Sequence, residues 1–137
     1  MSERDATGQR VLQPPGWPRP RGYANGIAAA GETIFLAGQI GWDAQGKFTD
    51  GMAGQVRQAL ANIVVLLADA GTSPRHLVRL TWYVTDLQAY RDNLAPIGDA
   101  YRAIIGRHFP AMSVIGVSQL VEPAALVEIE ATAVLRR

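Results

Sequence analysis

The chain has 137 residues but no cysteine, and only two of its residues are histidines, His76 and His108. Without thiols it can form neither disulfides nor cysteine metal sites, and it cannot use a thiolate as a nucleophile. Two histidines are too few for a histidine cluster of the kind that binds transition metals. We therefore expect no metal site.

Charge and long apolar runs are also scarce. Charged residues make up 18% of the chain, and 13 Lys and Arg against 12 Asp and Glu give a net charge of +1. Because the basic residues are scattered, we expect no phosphate-binding surface and no nucleic-acid partner. No stretch approaches the ~20 apolar residues of a membrane span, and the first 16 residues lack the apolar core of a signal peptide. These features predict a cytoplasmic protein without a membrane partner.

Hydrophobic residues, by contrast, reach 48%. This composition suits a single domain with a part of its surface covered by another molecule, and self-association is the first possibility. The first 21 residues are polar and then proline-rich, with Pro14, Pro15, Pro18 and Pro20. Proline fixes the backbone and removes amide donors. The sequence thus predicts an extended N-terminal arm over residues 1–21 and one domain over residues 22–137.

Hydrophobic periodicity predicts the elements of that domain. Residues 23–30 and 33–40 are typical of strands, and Gly31-Glu32 between them suggests a hairpin. A helix is predicted over residues 52–70, a strand over 77–85 and a second helix over 93–105, and two strands follow over 112–118 and 126–135. This order indicates an α+β fold with one mixed sheet and both helices on the same face. The opposite face then needs partner subunits to cover it.

Two carboxylates in the last predicted strand are the first candidates for chemistry. Alternation places Glu128 and Glu130 on one face, opposite Val127 and Ile129. Alternate residues of a strand are ~6.6 Å apart, so the two charges couple if the face is buried at an interface. One glutamate could then carry a proton. The alternative, favoured for Glu130, is a solvated carboxylate or a pair with an arginine.

Other polar and aromatic residues give weaker indications. Tyr23 could offer a hydroxyl to a ligand, although packing is the commoner role of a tyrosine at a strand start. Ser113 lacks the pattern of a catalytic triad. The tryptophans could line an apolar cleft or an ordinary core, and the sequence does not distinguish these roles.

Six segments together resemble the RidA/YjgF family, and the similarity runs from about residue 22 to residue 137. The most specific features are a Gly-Gln strand end, a helix with Gln and Asn seven residues apart, and a terminal Glu-Ile-Glu-Ala. The segments are Gly22-Tyr23, Ala37-Gly38-Gln39-Ile40, residues 55–63, Val84-Thr85-Asp86-Leu87, Phe109-Pro110-Ala111-Met112-Ser113 and Val127-Glu128-Ile129-Glu130-Ala131.

The resemblance implies a chorismate-mutase-like fold and a homotrimer with a central barrel-like core and ligand clefts between subunits. It also implies hydrolysis of reactive enamines or imines to ketoacids and ammonia, without a cofactor. By the match, Tyr23 contacts the ligand and Glu128 positions or activates water. The matched segments Ala37-Gly38-Gln39 and Met112-Ser113 are the expected ligand-binding positions.

Two of these positions depart from the family pattern. Ala37 stands where a serine is usual, and Met112 where an arginine forks onto the substrate carboxylate. Methionine supplies neither donor nor charge, so we expect small amino-acid-derived imines to bind poorly and a larger or less anionic ligand to be preferred. Arg102 and Arg107 are candidates for a substitute arginine by their proximity in the sequence.

Three functions remain open at this point. The first is a deaminase acting on an unidentified enamine or imine, and the second is a non-enzymatic trimer that binds a small ligand. The third, nucleic-acid cleavage or inhibition of translation, is disfavoured by the near-neutral charge.

Overall fold

A computed structural model describes residues 4–136, so residues 1–3 of the predicted arm and residue 137 of the predicted domain lie outside the described residues. The described chain contains six strands, three α-helices and a 3₁₀ turn at Pro74–His76. The strands are β1 (Arg10–Val11), β2 (Ile27–Ala28), β3 (Glu32–Ile40), β4 (Leu77–Val84), β5 (Ala111–Gly116) and β6 (Val127–Leu135). The helices are α1 (Met52–Asp69), α2 (Leu87–Asp92) and α3 (Leu94–Ile104).

The main sheet has four strands in the order β3-β6-β4-β5. Strands β4 and β5 are parallel, and the other two pairs are antiparallel. The α+β class and the mixed sheet with helices on one face are therefore confirmed. The buried core lies between the sheet and α1 and α3, and it includes Val127 and Ile129, both fully buried.

Helix α1 confirms the helix predicted over residues 52–70. Its apolar face is fully buried at Leu60, Ile63 and Leu67. Gly71 follows with φ of 74°, a left-handed conformation that glycine adopts without strain and that ends the helix.

A buried amide on α1 fixes the entry into β6. The Gln55 side chain donates from Nε2 to the Ala124 carbonyl over 3.0 Å. Its Oε1 accepts from the Leu126 amide over 2.8 Å. Since these backbone groups would otherwise lose their partners, the two bonds hold the chain just before Glu128 in place.

The hairpin predicted at Gly31-Glu32 is wrong. Within residues 23–30 only Ile27–Ala28 forms a strand, and it pairs with β1. Strand β3 pairs with β6 instead, beginning at Glu32 opposite Leu135. A Cβ on Gly31 would lie 2.3 Å from the Leu135 carbonyl oxygen, so the backbone passes closely over the end of β6 and does not turn back.

The arm predicted as extended over residues 1–21 is extended only in part. The Asp5 carboxylate accepts hydrogen bonds from the backbone amides of Thr7 (2.8 Å) and Gln9 (3.1 Å), which folds a turn ahead of β1. Gln9 is buried, and its Nε2 donates to the Arg75 carbonyl over 2.9 Å. The polar residues that suggested an arm therefore anchor the segment to the rest of the chain. The domain boundary at residue 22 stays a prediction.

Two further differences concern local structure. The short helix α2 was not predicted. Its N-cap is Asp86, whose carboxylate accepts from the Ala89 amide over 3.0 Å. In β4 a register shift between Leu77 and Arg79 makes Leu77, not Val78, the fully buried first residue.

No element of the described chain covers the face of the sheet opposite the helices, which we call the open face. Strand pairing places on it Phe35, Arg79, Thr81, Tyr83, Glu128, Glu130 and Thr132. Phe35 is 79% exposed there. An exposed aromatic ring on an uncovered sheet supports the expectation that another molecule packs on this face.

None of the described helices is long and apolar enough to cross a membrane. The cytoplasmic location stays a prediction.

Candidate functional site

A cleft of about 560 Å³ lies on the helix side, between α3 and the outer strand β5. Its walls are aromatic and aliphatic. Of the part of the chain that the structure describes, two arginines are the only charged residues in the lining, and no acidic residue belongs to it. The lining consists of Arg21, Gly22, Tyr23, Trp82, Tyr90, Leu94, Ile97, Gly98, Tyr101, Arg102, Phe109, Met112 and Val114. The volume is within the range of roughly 300–1,000 Å³ that is typical of small-molecule sites.

Backbone pairing brings Tyr23 to this cleft. The Ala24 amide donates to the Pro110 carbonyl over 3.0 Å, and Ala24 forms a parallel bridge with Ala111. The chain before β2 therefore lies along the start of β5. As a result Tyr23 and Met112, 89 positions apart in the sequence, line the same cavity.

Stacked rings form the floor of the cleft. Tyr101 stacks on Phe109 with ring centroids 5.4 Å apart, and Trp82 lies 6.5 Å from Tyr101. The Tyr101 hydroxyl donates to the His108 carbonyl over 2.6 Å. Burial raises the pKa of Tyr101, so its hydroxyl remains a neutral donor at physiological pH.

One polar atom of this floor is unsatisfied. The Trp82 indole N–H is buried and has no hydrogen-bond partner among residues 4–136. An unpaired buried donor is costly, and an acceptor on a ligand or a bound water would lower that cost.

Of the two candidate substitute arginines, Arg102 is the one that lies at the cleft. It lines the cleft together with Met112, whereas Arg107 is not among the lining residues. Its Nη2 donates to the Asp99 carboxylate over 2.8 Å, and both side chains are half or more exposed. Such exposed pairs are weak, so the guanidinium can exchange this partner for a ligand.

A second group of matched residues lies on the open face. Glu128, on β6, is half-buried and lies against Gly38 of β3, where a register shift separates Leu36 from Gln39. A Cβ on Gly38 would come within 2.6 Å of Cδ of Glu128. Glycine is therefore required at this position for the carboxylate to lie where it does.

The two glutamates of β6 have different surroundings. Glu130 is exposed, and its Oε1 accepts a hydrogen bond of 2.8 Å from the Tyr83 hydroxyl. Glu128 is paired through its backbone with β3 and β4, but its carboxylate makes no hydrogen bond or ion pair with any of residues 4–136. The structure thus leaves the Glu128 carboxylate available to water, a ligand or a partner. It gives the solvated Glu130 the Tyr83 hydroxyl as a partner, and a pair with an arginine across a subunit interface stays a prediction.

Within one chain these two groups lie on opposite faces of the sheet. Met112 pairs with Leu80, whose side chain is in the core, and Glu128 pairs with Tyr83 on the open face. Ser113 pairs with Thr81 and so belongs with the open face. A single chain therefore does not bring Tyr23 and Met112 together with Glu128.

The sequence analysis named the tryptophans as possible cleft residues but did not single out Tyr101 or Phe109. Ile97 and Tyr101 lie on the apolar face of α3 and line the core. The cleft continues the same apolar surface beyond the core, so periodicity alone cannot separate the two. Among the described residues there is also no group of three or more acidic or histidine side chains placed to hold a metal ion.

Comparison with known proteins places these features in a family. The family model described as endoribonuclease L-PSP matches residues 18–135. A RutC family protein of Pyrococcus horikoshii is 34% identical over 118 residues, which cover 85% of this chain and 90% of that protein. A 2-iminobutanoate/2-iminopropanoate deaminase of Salmonella typhimurium is 31% identical over 118 residues, covering 83% and 88%.

The backbone is similar to solved structures of the same group. The crystal structure of the Yersinia pestis protein YyfB, described as a Rid family protein of unknown function, superposes with a TM-score of 0.82. That protein is 36% identical to this chain, and the match covers 93% of this chain and 98% of the other.

The contacts of Tyr83 on the open face lead to a prediction about the pKa of its hydroxyl. The hydrogen bond to Glu130 is the largest cause that raises the pKa of Tyr83, and the charge of Glu128 is the smallest. Glu130→Gln should therefore lower the Tyr83 pKa, whereas the matched variant Glu128→Gln should lower it less. Titration of ¹³C-labelled tyrosine by NMR measures both. Equal shifts in the two variants would contradict the described geometry.

Proposed function

This chain belongs to the RidA/YjgF family, and from that premise we propose that it hydrolyses an enamine or imine to a carbonyl compound and ammonia. No cofactor takes part in the proposed reaction. The observation that carries the proposal is the Glu128 carboxylate, which lies half-buried against Gly38 without a partner in the described chain. The deaminase names of relatives such as the Salmonella protein support the reaction class.

The proposed chemistry needs one group that handles protons beside an attacking water. An enamine first takes up a proton on carbon, which gives the protonated imine. Glu128 then accepts a proton as water adds to the carbon of the protonated C=N bond, which gives a neutral carbinolamine. Glu128 passes this proton to nitrogen, the C–N bond breaks as ammonia leaves, and the hydroxyl proton returns to Glu128 as the carbonyl forms. A carboxylate positioned in this way contributes about 10²- to 10⁴-fold to such steps. Tyr23 contacts the substrate through its hydroxyl.

Assembly of the site needs two copies of the chain. The half with Tyr23 and Met112 lies on the helix side, and the half with Gly38 and Glu128 lies on the open face. One subunit's cleft can therefore meet only another subunit's open face. Contacts between two different surfaces of identical chains give a ring where the rotation between neighbours closes, and the family resemblance favours a closed ring of three.

Exposed apolar side chains on the two outer strands of the main sheet support this assembly. Both outer strands of the main sheet present apolar side chains: Phe35 on β3 is 79% exposed and Ile115 on β5 is 43% exposed. Unpaired strand edges with such residues invite association, and a closed trimer buries them.

Met112 shapes the proposed substrate range. The position that would fork onto a carboxylate next to the reacting carbon offers a thioether. We propose that 2-aminoacrylate and similarly small imino acids are poor substrates, since they also fill little of a cleft of about 560 Å³.

Non-enzymatic ligand binding is the second candidate function. The observation that favours it is the apolar character of the cleft, where Met112 and Val114 offer packing surface and no charged group. Cleavage of nucleic acid, which the family description mentions, is not proposed, because the chain carries a net charge of only +1.

Ammonia release from a panel of imines, generated by an amino-acid oxidase, tests the proposed reaction. For the best substrate, Glu128→Gln should lower the rate by about 100-fold or more, because the amide cannot accept the proton from water. Glu130→Gln is the matched control and should stay near the wild-type rate. Equal rates for wild type and Glu128→Gln would overturn the role of Glu128. Binding without turnover across the panel would favour the second candidate.

The methionine at position 112 leads to a separate prediction about the rate at which small imino acids are hydrolysed. The wild type should scarcely accelerate hydrolysis of 2-aminoacrylate or 2-iminopropanoate, and Met112→Arg should gain about ten- to a hundred-fold from one charge-assisted contact. Met112→Leu, which changes packing without adding charge, should gain nothing. Rapid wild-type turnover of these small substrates would mean that another group replaces the arginine and that the site is not divergent.

A further inference from the structure

We propose that the cleft takes a ligand with an aromatic-sized apolar body and one carboxylate, and that Arg102 binds this carboxylate from the rim. The inference rests on the proposed function for the ligand's role as substrate. The binding preference itself rests on the charges and shape of the cleft.

The charge of the lining favours an anion. Among residues 4–136, Arg21 and Arg102 are the charged residues that line the cleft, and no acidic side chain of this range lines it. Asp99 lies outside the lining and offsets part of the positive charge through its contact with Arg102. A low-dielectric wall of aromatic rings strengthens the attraction of the guanidinium groups for an anion.

The shape of the cleft favours a large apolar body. Trp82, Tyr101 and Phe109 present a continuous stacked surface, and Met112 adds a flexible thioether that packs well against rings. A planar hydrocarbon or aryl group buries against this surface, whereas a three-carbon acid leaves most of it wet.

Arg102 is better placed than Arg21 to bind the carboxylate. It is on helix α3, so its backbone is fixed, whereas Arg21 lies in the irregular segment before β2. The contact with Asp99 uses Nη2 and leaves other N–H groups of the guanidinium free to form a fork. Arg102 therefore supplies from the helix the group that the β5 position lacks.

The absence of a side chain at Gly98 leaves room for the Arg102 guanidinium. Glycine weakens a helix interior relative to alanine, yet Gly98 lies in the middle of α3. A Cβ at this position would lie 3.3 Å from Nη1 and 3.4 Å from Nη2 of Arg102, which is tight. The guanidinium thus lies directly over Gly98, at the edge of the cleft.

Calorimetric titration with three probes tests the inference without relying on turnover. The probes are 3-phenylpropanoate, its neutral analogue 3-phenylpropanamide, and propanoate. Wild-type protein should bind phenylpropanoate about tenfold more tightly than the amide, as expected for one charge-assisted contact. It should also bind phenylpropanoate at least tenfold more tightly than propanoate, as expected for burial of a phenyl ring. Quenching of Trp82 fluorescence should accompany binding and should disappear in Trp82→Phe.

Binding measurements on substituted proteins identify the residue that causes the preference for the acid over the amide. Arg102→Gln should bind the acid and the amide equally, Arg102→Lys should retain part of the preference, and Arg107→Gln, outside the cleft, should match the wild type. Gly98→Ala should weaken the preference without lowering the melting temperature. Because binding is measured separately from ammonia release, an inactive protein with this pattern would refute the deaminase proposal alone.

Three results would overturn the inference. One is equal wild-type affinity for phenylpropanoate and its amide, and another is equal affinity for phenylpropanoate and propanoate. The third is a preference that survives in Arg102→Gln and disappears in Arg21→Gln, which would assign the carboxylate to the other arginine.

Discussion

The two-residue alternation of side chains across the main sheet is the constraint on which the rest of the structure depends. Along β6 it buries Val127 and Ile129 under the helices and leaves Glu128 and Glu130 on the open face. The core needs the first pair, because their burial drives the helices onto the sheet. The same geometry makes it impossible for Glu128 to reach the aromatic cleft of its own chain, so the fold that stabilises the chain also divides the proposed site.

The proposed binding mode relies on a cationic group elsewhere in the cleft, because Met112 carries no charge. An arginine on β5 would approach the ligand from the sheet, whereas Arg102 lies on α3 at the rim. If Arg102 binds the carboxylate there, the apolar body of the ligand has to reach the floor formed by Trp82, Tyr101 and Phe109. On this proposal, the position of the guanidinium sets the size of the preferred ligand.

Strong periodicity made much of the fold predictable from the sequence. Helix α1, predicted over residues 52–70, and the alternation of Glu128 and Glu130 with Val127 and Ile129 in β6 both appeared as predicted. The hairpin at Gly31-Glu32 did not, because pairing of β3 with β6 depends on residues about a hundred positions away, which local turn preferences do not report. The family motifs marked Tyr23 and Glu128 as candidate site residues, and their roles stay predictions. The placement of these two residues on opposite faces of the sheet, and of Arg102 at the cleft, required the register of the strands.

Complementation between two defective variants tests the divided site most directly. Tyr23→Ala damages the cleft half and Glu128→Gln the open-face half, and the two are co-expressed in equal amounts with different tags and purified as mixed assemblies. Ammonia release from the imine that the wild type hydrolyses best is then measured. If each site joins the cleft of one subunit to the open face of the next in a ring of three, every mixed assembly keeps one of its three sites intact, and activity returns to about one third of the wild-type rate. If each chain carries a complete site, every site contains a defect and the mixture remains as inactive as the separate variants, which would contradict the account.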